Sequence, residues 1–172
     1  MKGLELKQKT CCFTGHRDLL AGEISGVQYC TANAIRFLVK NKGICFFGVG
    51  GAIGYDTLAA DILFQLRETE FPNIKIILVY PFEGFYSKWS NKQRAEYERL
   101  LPRYDKRVCL SQYAKKGAYL ARNRHLVDHS SYCIACCTRN YGGTAYTVDY
   151  ALQHGVEVIN IGSHKKRALS GS

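Results

Sequence analysis

Six short apolar runs, spaced by longer segments of helical period, restrict this chain's fold more than any other feature of it. The runs are Thr10–Thr14, Ile44–Phe47, Ile74–Tyr80, Arg107–Leu110, Tyr132–Cys137 and Val156–Ile161; Gly15 cuts off the first, Gly48, Gly50 and Gly51 close the second, and Pro81 ends the third. Between them, Ile24–Lys40 carries Val27, Thr31, Ala34 and Leu38 at helical spacing. Tyr55, Leu58, Ile62 and Leu66 form one apolar stripe, with Asp61, Gln65 and Glu68 facing away. Trp89–Leu101, Leu120–Ser130 and Gly142–His154 read as three further helices. Strands alternating with helices predict βαβ units and a parallel sheet. The strands are apolar throughout rather than alternating, as expected when helices cover both faces. Right-handed crossovers then predict an α/β fold, a Rossmann-like, doubly wound, mainly parallel six-stranded sheet with helices on both faces. The expected strand order is 3-2-1-4-5-6.

The 172 residues suit one domain over residues 1–172, with a basic, then small and polar tail at 162–172 expected to be disordered. The longest apolar runs are too short and too interrupted by glycine to span a bilayer, which takes about 20 residues. Met1–Thr10 is charged and lacks the apolar core of an export signal. A soluble, cytoplasmic chain with no membrane partner is therefore expected, and its eight cysteines should stay reduced. Cys133, Cys136 and Cys137 invite a zinc reading, but a structural site needs a second, similarly spaced ligand pair, and Cys11 and Cys12 are adjacent. A CxxC on a strand also sends its two sulfurs to opposite faces. His125 and His129 stand four residues apart without a third ligand, so no metal and no cofactor is assigned.

In such a sheet, ligands bind beyond the carboxyl ends of the strands, where the strand order reverses. Thr14, Gly15, His16 and Arg17 follow the first strand, and Gly48, Gly50, Gly51, Gly54 and Asp56 follow the second. Pro81 follows the third, and Arg122-Asn123-Arg124 is expected near the loop leading into the fifth helix. Gly142, Gly143 and Thr144 follow the fifth strand. Glycines let backbone N–H groups approach an anion, and helix N-termini add partial positive charge. Two such turns with arginine and histidine between them describe a site for phosphate or a phosphorylated ribose. In this reading amides at Gly50, Gly51, Gly143 and Thr144 hold phosphate, and Arg17 and Arg122 neutralise it. Thr14 and His16 bond ribose or base, and Asp56 caps a helix or meets a ribose hydroxyl. The Gly48–Gly54 run is neither GxGxxG nor a P-loop, since Ile53 stands at the final glycine position and no Gly-Lys-Ser/Thr follows.

Net charge is +10, and residues 88–124 hold eleven Lys/Arg against three Asp/Glu. Tyr97, Tyr104, Tyr113 and Tyr119 interleave with that segment. Nucleic acid, an anionic small ligand or plain solvent are the three partners such a stretch suits. No helix-turn-helix, RNA-recognition or zinc-finger signature accompanies it. The fold class commonly dimerises through helices beside the sheet, which makes a homodimer an expectation from fold class alone.

The sets Thr14-Gly15-His16-Arg17, GGAIGYDTLAAD, ARNRHLVDHSSYCIACC and YGGTAYTVDYAL, in that order over Thr10–Ile161, resemble the YpsA-like branch of the SLOG superfamily. The resemblance implies a Rossmann-like fold related to DprA and the Lonely Guy phosphoribohydrolases. It also implies a nucleotide-derived ligand such as AMP, ADP-ribose or NAD, held by a sensor or signalling protein. N-glycosidase chemistry and DprA-like binding of single-stranded DNA are the alternatives. Lonely Guy enzymes carry a glutamate three residues after the GGxGT threonine; with Thr144 matched to that threonine, this chain has Thr147. A hydroxyl does not replace a carboxylate base.

Overall fold

β1 (Thr10–Gly15) lies inside the sheet with a burial pattern that leaves only its two ends partly open, and the rest of the chain is laid out to either side of it. The computed structural model describes residues 2–162. In chain order the elements are α1 (Lys2–Gln8), β1, α2 (Ile24–Lys42), β2 (Phe46–Val49), α3 (Tyr55–Thr69), β3 (Lys75–Tyr80) and α4 (Asn91–Leu100), followed by β4 (Lys106–Cys109), α5 (Ala118–Asp128), β5 (Tyr132–Cys136), α6 (Gly142–Gln153) and β6 (Glu157–Asn160). Short 3-10 turns at Ala21–Glu23 and Leu101–Arg103 adjoin α2 and α4. All five strand pairings are parallel. The expected disordered tail lies, apart from Gly162, outside the described residues.

The strand order is β4-β3-β2-β1-β5-β6. It corrects the expected 3-2-1-4-5-6 by one strand. α4 returns on the same face as α2 and α3, so β4 adds to the outer edge beside β3 instead of crossing β1. The order reverses between β1 and β5. Buried residues of α2, α3 and α4, among them Ile35, Leu38, Leu63, Phe64 and Tyr97, join Phe13, Phe47, Ile76, Leu78 and Ile134 in the larger core. α5 and α6 cover the other face, where Leu126, Val127 and Ala151 meet Cys12, Val79 and Cys133. The two cysteines of the CxxC part as alternation requires, Cys133 into the smaller cluster and Cys136 into the larger. Among the described residues no group of three metal-ligating side chains converges, and all eight cysteines are free thiols. No helix of the described residues is long and apolar enough to cross a membrane.

α1 has no counterpart in the sequence expectation, because a seven-residue helix with no buried residue carries no apolar period. On β4, an edge strand, Lys106 and Arg107 are exposed, a charged edge that discourages pairing with another sheet.

Two glycines clasp the end of β1 to the start of α3. A Cβ at Gly15 would overlap the Tyr55 ring, and one at Gly54 (φ 80°) would overlap the Arg17 backbone. The clasp is closed by the Tyr55 amide donating to the His16 carbonyl at 3.1 Å, and the Tyr55 hydroxyl meets Thr31 of α2 at 2.9 Å. Gly54→Ala should therefore lower the unfolding free energy by about 2 kcal/mol or more, from left-handed strain plus overlap. Gly26→Ala, in α2 with nothing near the added methyl, should raise it by roughly 0.5 kcal/mol. Urea denaturation of the two variants checks both signs.

Candidate functional site

A cavity of about 330 Å³ opens at the carboxyl ends of β1 and β5, at the reversal of strand order. Ten of the residues singled out from the sequence line it: Thr14, Gly15, His16 and Arg17 after β1, Asp56 of α3, Arg122 and Asn123 of α5, and Gly142, Gly143 and Thr144 of α6. The other five do not. Gly48 lies within β2, where a Cβ would come 2.9 Å from the Leu126 side chain. Gly50 and Gly51 are buried. A Cβ at Gly51 would sit 2.8 Å from Leu78, and Tyr97 and Phe85 are also close. Gly54 borders a neighbouring groove, and Pro81 is buried at the end of β3. Gly50 and Gly51, expected to offer amides to phosphate, therefore lie outside the cavity, packed against neighbouring side chains.

Arg122 is the centre of that packing. It lies inside α5 rather than in a preceding loop, is 3% exposed, and donates from Nη1 to the Gly50 carbonyl. A Cβ at Gly50 would come within 2.8 Å of Asp56 Oδ2 and 2.9 Å of the guanidinium carbon, so glycine is what admits both charged groups. Asp56 Oδ2 accepts the Ala52 amide at 3.1 Å. Burial pushes the Asp56 carboxyl above its usual range against the pull of Arg122. Burial likewise pulls Arg122 down while Asp56 opposes the change. The relay continues outward. Arg122 Nε donates to Asn123 Oδ1 at 2.8 Å, and Asn123 Nδ2 donates to Thr147 Oγ1 at 3.0 Å. Thr147 Oγ1 then donates to the Gly143 carbonyl at 2.8 Å. Thr147 therefore ties α5 to the first turn of α6.

α6 begins openly. Tyr141, its N-cap, supplies no side-chain cap, Gly142 has φ 89°, and Tyr141, Gly142 and Gly143 are exposed. The first N–H groups of a helix have no intrahelical acceptor, and the axis dipole makes that end partly positive. Across the cavity, Arg17 is exposed and its guanidinium lies 5.2 Å from the centre of the Tyr119 ring. His16 is buried, and its Nε2 accepts the Thr138 amide at 2.9 Å, which leaves the proton on Nδ1. Burial, reinforced by the nearby Arg139, lowers its pKa.

Asp18, Tyr119, Arg139 and Tyr141 also line the cavity; none is among the expected site residues, although Tyr119 belongs to the basic segment and Tyr141 to the turn after β5. Arg139 pairs with Asp18 through two contacts of 2.7 Å, which hold the Asp18 carboxyl below its ordinary range. Tyr119 and Tyr141 stand beside the starts of two helices, and no spacing rule marks them. The basic segment 88–124 forms no single stripe. Arg99 pairs with Asp61 and Glu96, Arg103 with Glu68, and Arg122 is buried.

The family model described as YspA SLOG family, under the name YpsA, matches residues 13–159. A UPF0398 protein of Shouchella clausii is 34% identical over 100 residues, spanning 57% of this chain and 53% of the relative. A UPF0398 protein of Staphylococcus epidermidis is 24% identical over 135 residues, spanning 73% of this chain and 71% of the relative. The fold resembles that of DNA processing protein A from Streptococcus pneumoniae (TM-score 0.61, 21% identity, 89% of this chain and 50% of that one). It also resembles DNA processing protein A from Helicobacter pylori, a structure described for its single-stranded DNA binding mode (TM-score 0.58, 21% identity, 91% and 66%). The chain thus spans about half the length of the first relative and half to two thirds of these structures.

Two outcomes follow from the buried groups. Arg122→Ala strands the Asp56 carboxylate and should cost about 3–5 kcal/mol of stability, read by urea denaturation. His16 binds its proton less readily folded than unfolded, so the unfolded chain takes up more protons as pH falls below the ordinary histidine value near 6.5. Stability should decline from pH 7.5 to 5.5. His125, also lowered by burial, adds to the decline, so His16→Gln should shrink the loss without abolishing it.

Proposed function

Because the chain belongs to the YpsA-type SLOG family, we propose that it binds a nucleotide-derived or phosphorylated-ribose ligand in the cavity between β1 and β5, as a sensor or signalling protein. One observation carries this reading: the uncapped N-terminus of α6 faces the exposed Arg17 across a cavity of about 330 Å³, the size range of small-ligand sites. Phosphate takes the amides of Gly143 and Thr144, where glycine leaves room for close approach, and Arg17 supplies a planar cation. Thr14 and the Nδ1–H of His16 are the groups for ribose hydroxyls. Tyr119 and Tyr141 give the walls an apolar surface on which a base can lie. Sensing is favoured over N-glycosidic cleavage because Thr147 is committed to Asn123 and Gly143, and Asp56 to Ala52.

The fold shared with the Helicobacter pylori protein supports a second reading, a single strand of nucleic acid along the same rim. Exposed Lys115 and Lys116, ahead of α5, suit its phosphates.

Calorimetry with AMP separates the readings. Arg17→Ala should weaken binding about tenfold or more, equivalent to roughly 1.4 kcal/mol, while leaving the melting temperature near the parent value, because Arg17 is exposed. Undiminished binding in that variant would remove the phosphate assignment. A single-stranded oligonucleotide whose affinity falls steeply with salt, and falls again on charge reversal at Lys115 and Lys116, would favour the second reading.

A further inference from the structure

The helices share the sheet unevenly. α2, α3 and α4 pack on one face, and α5 and α6 on the other. Leu126 of α5 stands over Gly48 of β2, where a Cβ would come 2.9 Å from its side chain. Packed helices lie about 10 Å apart and paired strands about 4.8 Å apart, so the next helix of this layer would sit two strands further out, over β4. At that place the described residues leave a groove of about 370 Å³, floored by β2, β3 and β4, walled by the second half of α5 and crossed at one end by α1. It shares no lining residue with the cavity at β1 and β5.

The floor is apolar. Register sets Ile77 opposite Lys106 and Val79 opposite Val108, and alternation turns all four to this face, with Leu110 beyond them. Ile77, Val108 and Leu110 pack against the smaller core cluster yet are only partly buried. Leu6 of α1, 50% exposed, lengthens the strip. A contiguous apolar strip of this kind marks a surface that another molecule covers.

The rim selects the charge of that molecule. Exposed Lys106 and half-buried Lys7 border the groove, and exposed Lys75 stands two residues before Ile77 on the same face. The carboxylate of the rim, Asp128, already accepts the Tyr150 hydroxyl at 2.7 Å. A second copy of this chain, placed face to face, would set lysine against lysine. The chain's own residues 164–167, His-Lys-Lys-Arg, also have the sign of the rim. A mostly aliphatic floor gives nucleobases little to stack on. We propose that the groove docks an amphipathic helix of a partner protein. Its apolar stripe, at i, i+3, i+4 and i+7, lies along β3 and β4 beside α5, and Asp or Glu on its flanks meet Lys7, Lys75 and Lys106. This surface is independent of the ligand reading above.

The test is fluorescence anisotropy of a labelled synthetic peptide of about 15 residues mixed with the full chain. The peptide carries Leu in the stripe, Glu on the flanks and Ala elsewhere; its twin carries Lys in place of Glu. The Glu peptide should bind at least tenfold tighter than the twin, and Val108→Asp should weaken it by about tenfold. Lys7→Glu with Lys106→Glu should reverse the preference between the peptides. An unaltered melting temperature shows that Val108→Asp is folded; Leu6→Asp, at a half-exposed position, replaces it if that variant unfolds. No binding of the Glu peptide, equal binding of the twins, or binding that survives the Asp variants would overturn the proposal. Self-association in sedimentation that Val108→Asp disperses would overturn it too, by giving the groove to a second copy.

Discussion

The rest of the site is organised around a cation that the fold has taken out of water. Arg122 sits beneath the reversal of strand order, and its partners come from three places: the Gly50 carbonyl after β2, Asp56 at the start of α3, and Asn123 leading to Thr147 of α6. Burial disfavours the charged form of both Arg122 and Asp56. Such charges persist because the Ala52 amide, the Gly50 carbonyl and Asn123 supply hydrogen bonds and each opposes the other's burial cost, so removing one leaves the other stranded. The geometry leaves no space for a side chain at Gly50, so the glycine and the arginine form one device.

Topology explains why this device lies beside a cavity. Three successive crossovers stay on one face and carry β2, β3 and β4 outward from β1. The next, through α5, returns to the far side, so the segments after β1 and β5 diverge and leave a crevice. Misplacing β4 by one strand does not move the crevice, because β1 stands at the reversal in either order. The relay through Asn123 and Thr147 then sets the first turn of α6 against the floor. The N–H groups of that turn are therefore pre-oriented before any ligand arrives, which lowers the ordering cost of binding.

The elements were legible where burial on both faces leaves a continuous apolar run, and α1 was not because nothing in it is buried. The site was legible at the strand ends. Thr14–Arg17 and Gly142–Thr144 combine small residues with polar ones, and both segments line the cavity. The glycines of the Gly48–Gly54 run lie outside the cavity, because a glycine admits a close neighbour without saying which. At Gly48 that neighbour is Leu126, at Gly51 Leu78, at Gly54 the Arg17 backbone. Sequence alone does not distinguish a side chain of the same protein from a phosphate. Arg122 lines the cavity as expected but lies inside α5 rather than in a loop, and its bond to the Gly50 carbonyl is not legible in the sequence, since a guanidinium held by a distant carbonyl reads the same as one held for a ligand. Tyr119 is visible only as one of the tyrosines in the basic segment and Tyr141 only as the first residue of the YGGT set, while Arg139, a single residue after β5, has no period to mark it.

The two remaining arginines of the cavity differ in how each is held, and that difference decides which one the proposed anion would meet. Arg17 rests on the Tyr119 ring, a contact that leaves its N–H fork in solvent and free of a carboxylate. Arg139 is tied to Asp18, but both side chains reach water, and an ion pair of that kind is worth little. Under the proposed phosphate reading, an anion would exchange with Asp18 at small cost, whereas recruiting Arg122 would break its bonds to the Gly50 carbonyl and to Asn123. In the proposed reading, recognition would fall to the exposed guanidinium and the start of α6, with Arg139 as a second cation released by exchange. In that reading Arg122 would act from behind, as a buried positive charge whose field is poorly screened inside the protein.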